Sequence, residues 1–282
     1  MIDRSTQSSA RLWAASLAQW AIPDEILSAA PESPWGFPPR MFSAAAAAPA
    51  GAEPSPSRRR ALEAIPPGGT VLDVGVGGGA AGLPLAPPAS AIVGVDESKD
   101  MLDSFDAAAR ARGVGHRSIL GRWPDVAAEA HVPSADVVVC HHVVYNVADL
   151  LPFLLALDRH ARRRVVLELT AVHPLVHLNP LWWALHGLRR PEGPTAEDAV
   201  GVAREAGLDA RVEHFERPSP WVGAGQEEFV AFVRRRLCVG PERDAEIASL
   251  LGSTGWRSPR QAATIWWEAG DRGRGAGRAE PT

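Results

Sequence analysis

Between Val71 and Gly82 the chain reads Val-Leu-Asp-Val-Gly-Val-Gly-Gly-Gly-Ala-Ala-Gly, with Asp73 two residues ahead of Gly75 and with Gly77 and Gly79 following at alternate positions. Glycines directly after an apolar run let the backbone approach a ligand where a side chain would stand in the way. Gly77 to Gly82 also fits G-x-G-x-x-G, a weak signal by itself. Its surroundings add to it: Asp96 closes a second apolar run 19 residues beyond Gly77. A carboxylate at that place accepts both hydroxyls of a ribose. Asp73 narrows the ligand further. A pyrophosphate wants amide N–H groups and no added negative charge, whereas an acid here suits a ligand with a positive centre, such as a sulfonium with an α-amino group.

A second cluster follows the valine run Asp136-Val-Val-Val. It comprises Cys140, His141 and His142, with Tyr145 and Asn146 three and four residues past His142. Adjacent histidines on a strand-end loop can move a proton near neutral pH or bind a polar substrate. Either could equally serve only to hydrogen-bond the backbone. Cys140 reads as a small core residue rather than a nucleophile. His173 and His177 have the spacing of a metal-binding helix, but no Glu stands beside them, Pro174 interrupts the start, and no third ligand follows, so no metal is expected.

These residues need a scaffold that brings strand ends together. Apolar strands are expected at Thr70–Val76, Ala91–Asp96, Ser118–Gly121, Ala135–His141, Arg164–Thr170, Arg211–Phe215 and Ala263–Trp267, with helices interleaved. The first of those helices is expected to open from the glycines. Another carries Met101, Leu102, Phe105 and Ala109 on one face, a third runs Leu150–Ala161, and a fourth, Thr195–Gly207, has a capping threonine and a terminal glycine. Strands separated by helices imply α/β architecture with a doubly wound, mostly parallel sheet. The ligand crevice of such a sheet lies at the carboxyl ends of the strands.

With the elements in place, the chain resembles the class I S-adenosylmethionine-dependent methyltransferases. Their first motif, acid-x-Gly-x-Gly-x-Gly, stands as Asp73, Gly75, Gly77 and Gly79. Their D-x-S-x-x-M-L run stands as Asp96-Glu97-Ser98-Lys99-Asp100-Met101-Leu102, and their D-V-V-V strand before the transfer centre as Asp136 to Val139. The resemblance covers residues 58–268 and implies a seven-stranded Rossmann-like sheet with S-adenosyl-L-methionine as cofactor. It implies that Asp73 and the Gly75–Gly79 backbone hold the methionine part, that Asp96 with Glu97 holds the ribose, and that Met101 faces adenine. The family's Gly-Asp after the third strand is absent, and Gly121-Arg122-Trp123 stands there. Adenine contacts then fall to Arg122, Trp123, Asp125 or the backbone, with His141 lining the same site. His141 and His142 are the candidate catalytic residues, and His142, Tyr145, Asn146, Trp182 and Trp183 the candidate acceptor contacts.

The chain has 282 residues, 46% of them hydrophobic and 22% charged, with a net charge of −4. That balance argues against a nucleic-acid-binding protein, and the arginine runs 58–60 and 234–236 read as solvated helix faces. No apolar run reaches the ~18–20 residues of a membrane span. The first ten residues, MIDRSTQSSA, lack a signal peptide's apolar stretch, and two cysteines make no disulfide framework, so cytoplasmic residence is expected. The organisation expected is an N-terminal helical lid and linker at 1–57, the methyltransferase domain at 58–268 with an acceptor-site insertion at 171–194, and a disordered tail at 269–282. Trp13, Trp20, Trp35 and Phe37 in the lid are candidates to close over a small-molecule methyl acceptor, while most of the ten tryptophans are expected to pack their segments onto the core. The alternatives are an NAD(P)-dependent oxidoreductase on a similar sheet, which Asp73 and the lack of a Tyr-x-x-x-Lys pair disfavour, and a cofactor-binding protein without catalysis. The sequence assigns no oligomeric state.

Overall fold

The computed structural model describes residues 8–35, 53–129, 132–252 and 255–270. Phe37, most of the expected linker and the tail beyond Gly270 lie outside them. Seven strands form one sheet: β1 (Thr70–Val74), β2 (Ala91–Asp96), β3 (Gly115–Leu120), β4 (Ala135–His141), β5 (Ala161–Thr170), β6 (Arg211–Arg217) and β7 (Arg260–Glu268). Their order is β3-β2-β1-β4-β5-β7-β6. All pairs are parallel except those of β7, which runs antiparallel to both β5 and β6. The doubly wound, mostly parallel α/β sheet expected from the sequence is therefore present, with the strand order reversing between β1 and β4.

Alternation along the strands assigns side chains to two faces. On one face Val71, Val137, Val139, Val166 and Trp266 pack beneath α3 (Pro56–Ala64) and α4 (Lys99–Ala111). On the other, Leu72, Val74, Val138, Val165 and Leu167 meet α6 (Leu150–His160) and α8 (Ala196–Glu205). A shorter helix, α5 (Asp125–Glu129), adds Val126 to this second core. Local chemistry agrees with these elements: Ser98 caps α4 on the Met101 N–H, and Thr195 with Asp198 forms a capping box at α8.

The N-terminal helix α1 (Ser9–Ala18) packs into the second core. Trp13 is fully buried there, and its indole N–H donates to the Val147 carbonyl at 2.8 Å. The carboxyl ends of β5 and β6 and the amino end of β7 share one edge of the sheet, and the long connections there build a third core. Leu181 and Trp182 of α7 (Asn179–His186) pack with Trp221, with Phe229 of α9 (Gln226–Arg236) and with Ile247 of α10 (Asp244–Leu251); Ile26 of α2 (Asp24–Ser28) packs against them. Arg236, expected on a solvated face, is 7% exposed with its guanidinium 5.2 Å from the Phe232 ring. Arg236 falls on the face of that helix that carries Phe229, Phe232 and Val233, so packing draws it in, while Arg234 and Arg235 stay partly exposed. No helix among the described residues is long and apolar enough to cross a membrane.

Candidate active site

The glycine segment leaves β1 by folding back on β2, with the Gly75 and Val76 N–H groups both donating to the Val95 carbonyl at 2.8 and 3.0 Å. Gly75 has φ +73°, and a Cβ there would lie 2.3 Å from Val143 Cγ2, so the segment lies directly against the loop after β4. The helix expected after the glycines does not form. Only Leu83–Leu85 makes a short 3₁₀ turn. Pro84, Pro87 and Pro88 remove the N–H donors a helix would need, in a connection already rich in glycine.

Two carboxylates fasten the glycine segment instead. Asp73 is fully buried, and its Oδ2 accepts the Gly82 N–H at 2.8 Å. Its Oδ1 is buried with no hydrogen-bond partner. Burial pushes this carboxyl up to about 7 against the Gly82 hydrogen bond, and the Asp96 charge adds to the rise. Asp96 accepts the Gly77 N–H on Oδ2 at 3.0 Å and the Ser98 N–H on Oδ1 at 2.9 Å. Asp136, by contrast, works at the far end of the sheet, where it takes the Thr70 N–H at 2.8 Å and an Arg162 ion pair.

One strand over, β4 delivers the histidines. Asp73 pairs in register with Val139, so His141 stands two residues further on, on the same face, and pairs with Glu168 of β5. Burial brings His141 down to about 4, leaving the imidazole neutral, and its Nε2 has no partner. His142 has φ +59°, a conformation that costs a non-glycine residue of order 1–3 kcal/mol and is over-represented at functional sites. Its N–H donates to the Glu168 carbonyl at 2.7 Å, and its Nε2 lies 3.2 Å from Glu168 Oε1. Arg217, at the end of β6, reaches over to contact the same His142 nitrogen and pairs with Glu168 Oε1 at 3.2 Å. Burial raises the Glu168 carboxyl, but the His142 hydrogen bond and the charges of His142 and Arg217 outweigh it, holding it below the usual carboxylate range.

Glu168 and Arg217 escaped the sequence reading. Glu168 looks like one polar residue in a strand, and it meets His142 only through the β4–β5 register; the acid inside Val-Val-Leu-Glu-Leu was the available signal. Other expected residues fall in different places. Trp123 is 6% exposed in the second core, its indole N–H on the Phe153 carbonyl at 3.4 Å, so no ring face is left for stacking on adenine. Trp182 is 3% exposed inside the third core, whereas Trp183 is 53% exposed beside Arg189. Tyr145 is buried between Trp13 and His173, its hydroxyl donating to the Thr170 carbonyl at 2.7 Å. His173 stacks on Trp20 with ring centroids 3.7 Å apart. Met101 is half-buried at the start of α4, and Glu97, Arg122 and Asn146 are exposed at the strand-end edge.

Residues 72–167 match the family model of the methyltransferase domain. No curated protein matches the chain. Among solved structures, the YcgJ protein of Bacillus subtilis shares 19% identity, covering 75% of this chain and 97% of that one, with a TM-score of 0.52. A methyltransferase candidate from Bacillus halodurans C-125 shares 16%, over 75% and 96% of the two chains, at 0.50. The S-adenosylmethionine-dependent methyltransferase of Thiobacillus denitrificans, solved with S-adenosylhomocysteine, shares 17% over 88% and 99%, at 0.48. The fold and its glycine segment define a Rossmann-like methyltransferase domain. The match places a methyltransferase domain at residues 72–167, and the solved structures share its fold.

The residues present fit S-adenosylmethionine, the cofactor of that family. A buried carboxylate with one unpartnered oxygen answers a cationic ligand, and a side chain at Gly75 would run into Val143 of the loop after β4.

Proposed function

We propose that the protein methylates a small-molecule acceptor, and that the crevice between the ends of β1 and β4 is where it does so. The observation that carries this reading is the unpartnered, fully buried Asp73 oxygen beneath a glycine segment, one strand from a histidine held by a buried glutamate. S-adenosylmethionine, when bound, supplies an already activated methyl group on a sulfonium centre. The chain's own task is then to orient the partners and keep the crevice dry.

In this reading Asp73 balances the cofactor's positive end, Asp96 takes the ribose hydroxyls, and the Gly75–Gly79 backbone gives way to the methionine part. His142 is the base for a hydroxyl acceptor. With Nε2–H turned to Glu168, the lone pair on Nδ1 receives the acceptor's proton, and Glu168 stabilises the imidazolium that results. His141, kept neutral by burial, offers a polar edge without competing for the proton. Tyr145 and His173 brace the loop, and contact with the acceptor passes to exposed neighbours such as Asn146.

Calorimetric titration with S-adenosylhomocysteine, followed by a methyl-transfer assay over hydroxyl-bearing small molecules, tests the proposal. Saturable binding followed by turnover supports it, while binding of NADH or NADPH alone replaces it with an oxidoreductase.

A further inference from the structure

Beyond the His142–Glu168 pair, the sheet edge carries more positive charge than the described carboxylates neutralise. Arg217 and Arg260 are directly opposed in the β6–β7 register, so both leave the same face of the sheet, the face that also bears Glu168. Like charges in that relation repel across a strand pair. Glu168 pairs with Arg217, but no described carboxylate pairs with Arg260, which burial alone pulls below its usual range. Beside it the His177 Nε2 is buried without a partner. A third guanidinium, that of Arg257, sits over the Trp256 ring at 4.1 Å and gives one N–H to the Ala224 carbonyl.

Arg217 and Arg257 line one cavity of about 300 Å³, a size suited to a small ligand. Its apolar walls are Pro218, Val222 and Pro259. The other polar groups in the lining are already engaged. Ser219 donates to the Trp256 carbonyl at 2.8 Å, and Glu216 accepts from the Gln261 amide at 3.0 Å. The donors left to meet a ligand are guanidinium groups, and Arg217 connects this cavity to His142.

We propose that the methyl acceptor is an anion, a carboxylate on an apolar body, bound in this cavity with its charged end on Arg257 and Arg217 and its reacting end toward His142. Arg260 strengthens the same positive field from the neighbouring strand. The inference rests on the methyl-transfer reading and deepens it by naming the substrate class. Guanidinium forks match a carboxylate in plane and charge, which gives selectivity over a neutral isostere of the same shape.

The test uses benzoate and its neutral isostere benzamide, titrated into the full chain with and without S-adenosylhomocysteine. Benzoate is expected to bind saturably and at least tenfold more tightly than benzamide. Arg257→Met should remove that preference, and Arg260→Met should weaken benzoate severalfold while leaving benzamide unchanged. Equal affinity for the two probes, or a preference unaltered in both variants, overturns the proposal. Benzoate binding in a protein that takes no S-adenosylhomocysteine overturns the acceptor role and the methyl-transfer reading together. S-adenosylhomocysteine binding without a benzoate preference overturns the anion site alone.

Discussion

The backbone N–H of Gly77 donates to the carboxylate of Asp96 at 3.0 Å, joining the glycine segment after β1 to the end of β2. The acid proposed to take the ribose therefore also holds the loop proposed to take the methionine part. Two functions on one side chain can be separated by substitution. Asp96→Asn keeps an acceptor for only one of the Gly77 and Ser98 amides and loses the charge, and we expect about tenfold weaker binding of S-adenosylhomocysteine with only a small fall in melting temperature. Asp96→Ala should weaken binding further and loosen the loop. Calorimetry beside a thermal melt reads both, and full affinity in a folded Asp96→Asn protein would remove the residue from the site.

Gly75 and Gly68 share φ +73° but differ in surroundings: a Cβ at Gly75 meets Val143 at 2.3 Å, whereas at Gly68 nothing lies within 4 Å. Both alanine variants suffer the left-handed backbone cost, about 1 kcal/mol. Only Gly75→Ala should also push the glycine segment from the β4 loop, lowering the melting temperature more and abolishing cofactor binding. Equal losses in the two variants would show that the close approach to Val143 is unimportant.

His142→Ala should lower turnover on a hydroxyl acceptor by about 10²- to 10⁴-fold, the usual worth of a positioned base. Glu168→Gln acts through His142, so it should lower kcat with little change in KM, and Glu168→Asp should recover part of the loss. A Glu168→Gln enzyme that changes KM alone would place Glu168 in binding instead.

Acid should unfold the protein from about pH 6.5 downward. Burial holds His141 and His173 near 4 and His177 near 3, against 6.5 for a free imidazole. Between those limits the unfolded chain binds more protons, so the stability these groups provide is complete above pH 6.5 and lost as pH falls. Asp73 acts the other way: raised from 3.8 to about 7, it keeps a proton in the folded state that the unfolded chain gives up, and its contribution is lost as pH rises through 7. Each titrating group has a slope of about 1.4 kcal/mol per pH unit, so three histidines outweigh one aspartate. The melting temperature should fall from pH 7 to pH 5, His177→Gln should flatten the fall, and Asp73→Asn should steepen it. A flat wild-type profile over that range would contradict the burial of these groups.

The glycine segment and the carboxylates that fasten it were legible in the sequence because they are local. Asp73, the glycines and Asp96 stand within 24 residues, and strand periodicity places them. The His142–Glu168–Arg217 cluster was not, because it depends on register between distant segments. Arg217 lies 75 residues from His142 in sequence, and the two meet only because β6 folds back beside β7. Aromatic residues misled for a related reason. Trp123, Tyr145 and Trp182 sit at plausible positions along the chain, yet burial sends each into a core, a choice that packing partners make and spacing does not reveal. The absent helix after Gly82 was readable from Pro84, Pro87 and Pro88, whose effect outweighs the motif's usual context.

The most direct test of the account is calorimetric titration of the full chain with S-adenosylhomocysteine and, in parallel, NADH and NADPH. Saturable binding of the adenosyl ligand alone is expected, weakened about tenfold by Asp96→Asn. Binding of the nicotinamides with no response to S-adenosylhomocysteine would contradict the role given to Asp73 and, with it, methyl transfer.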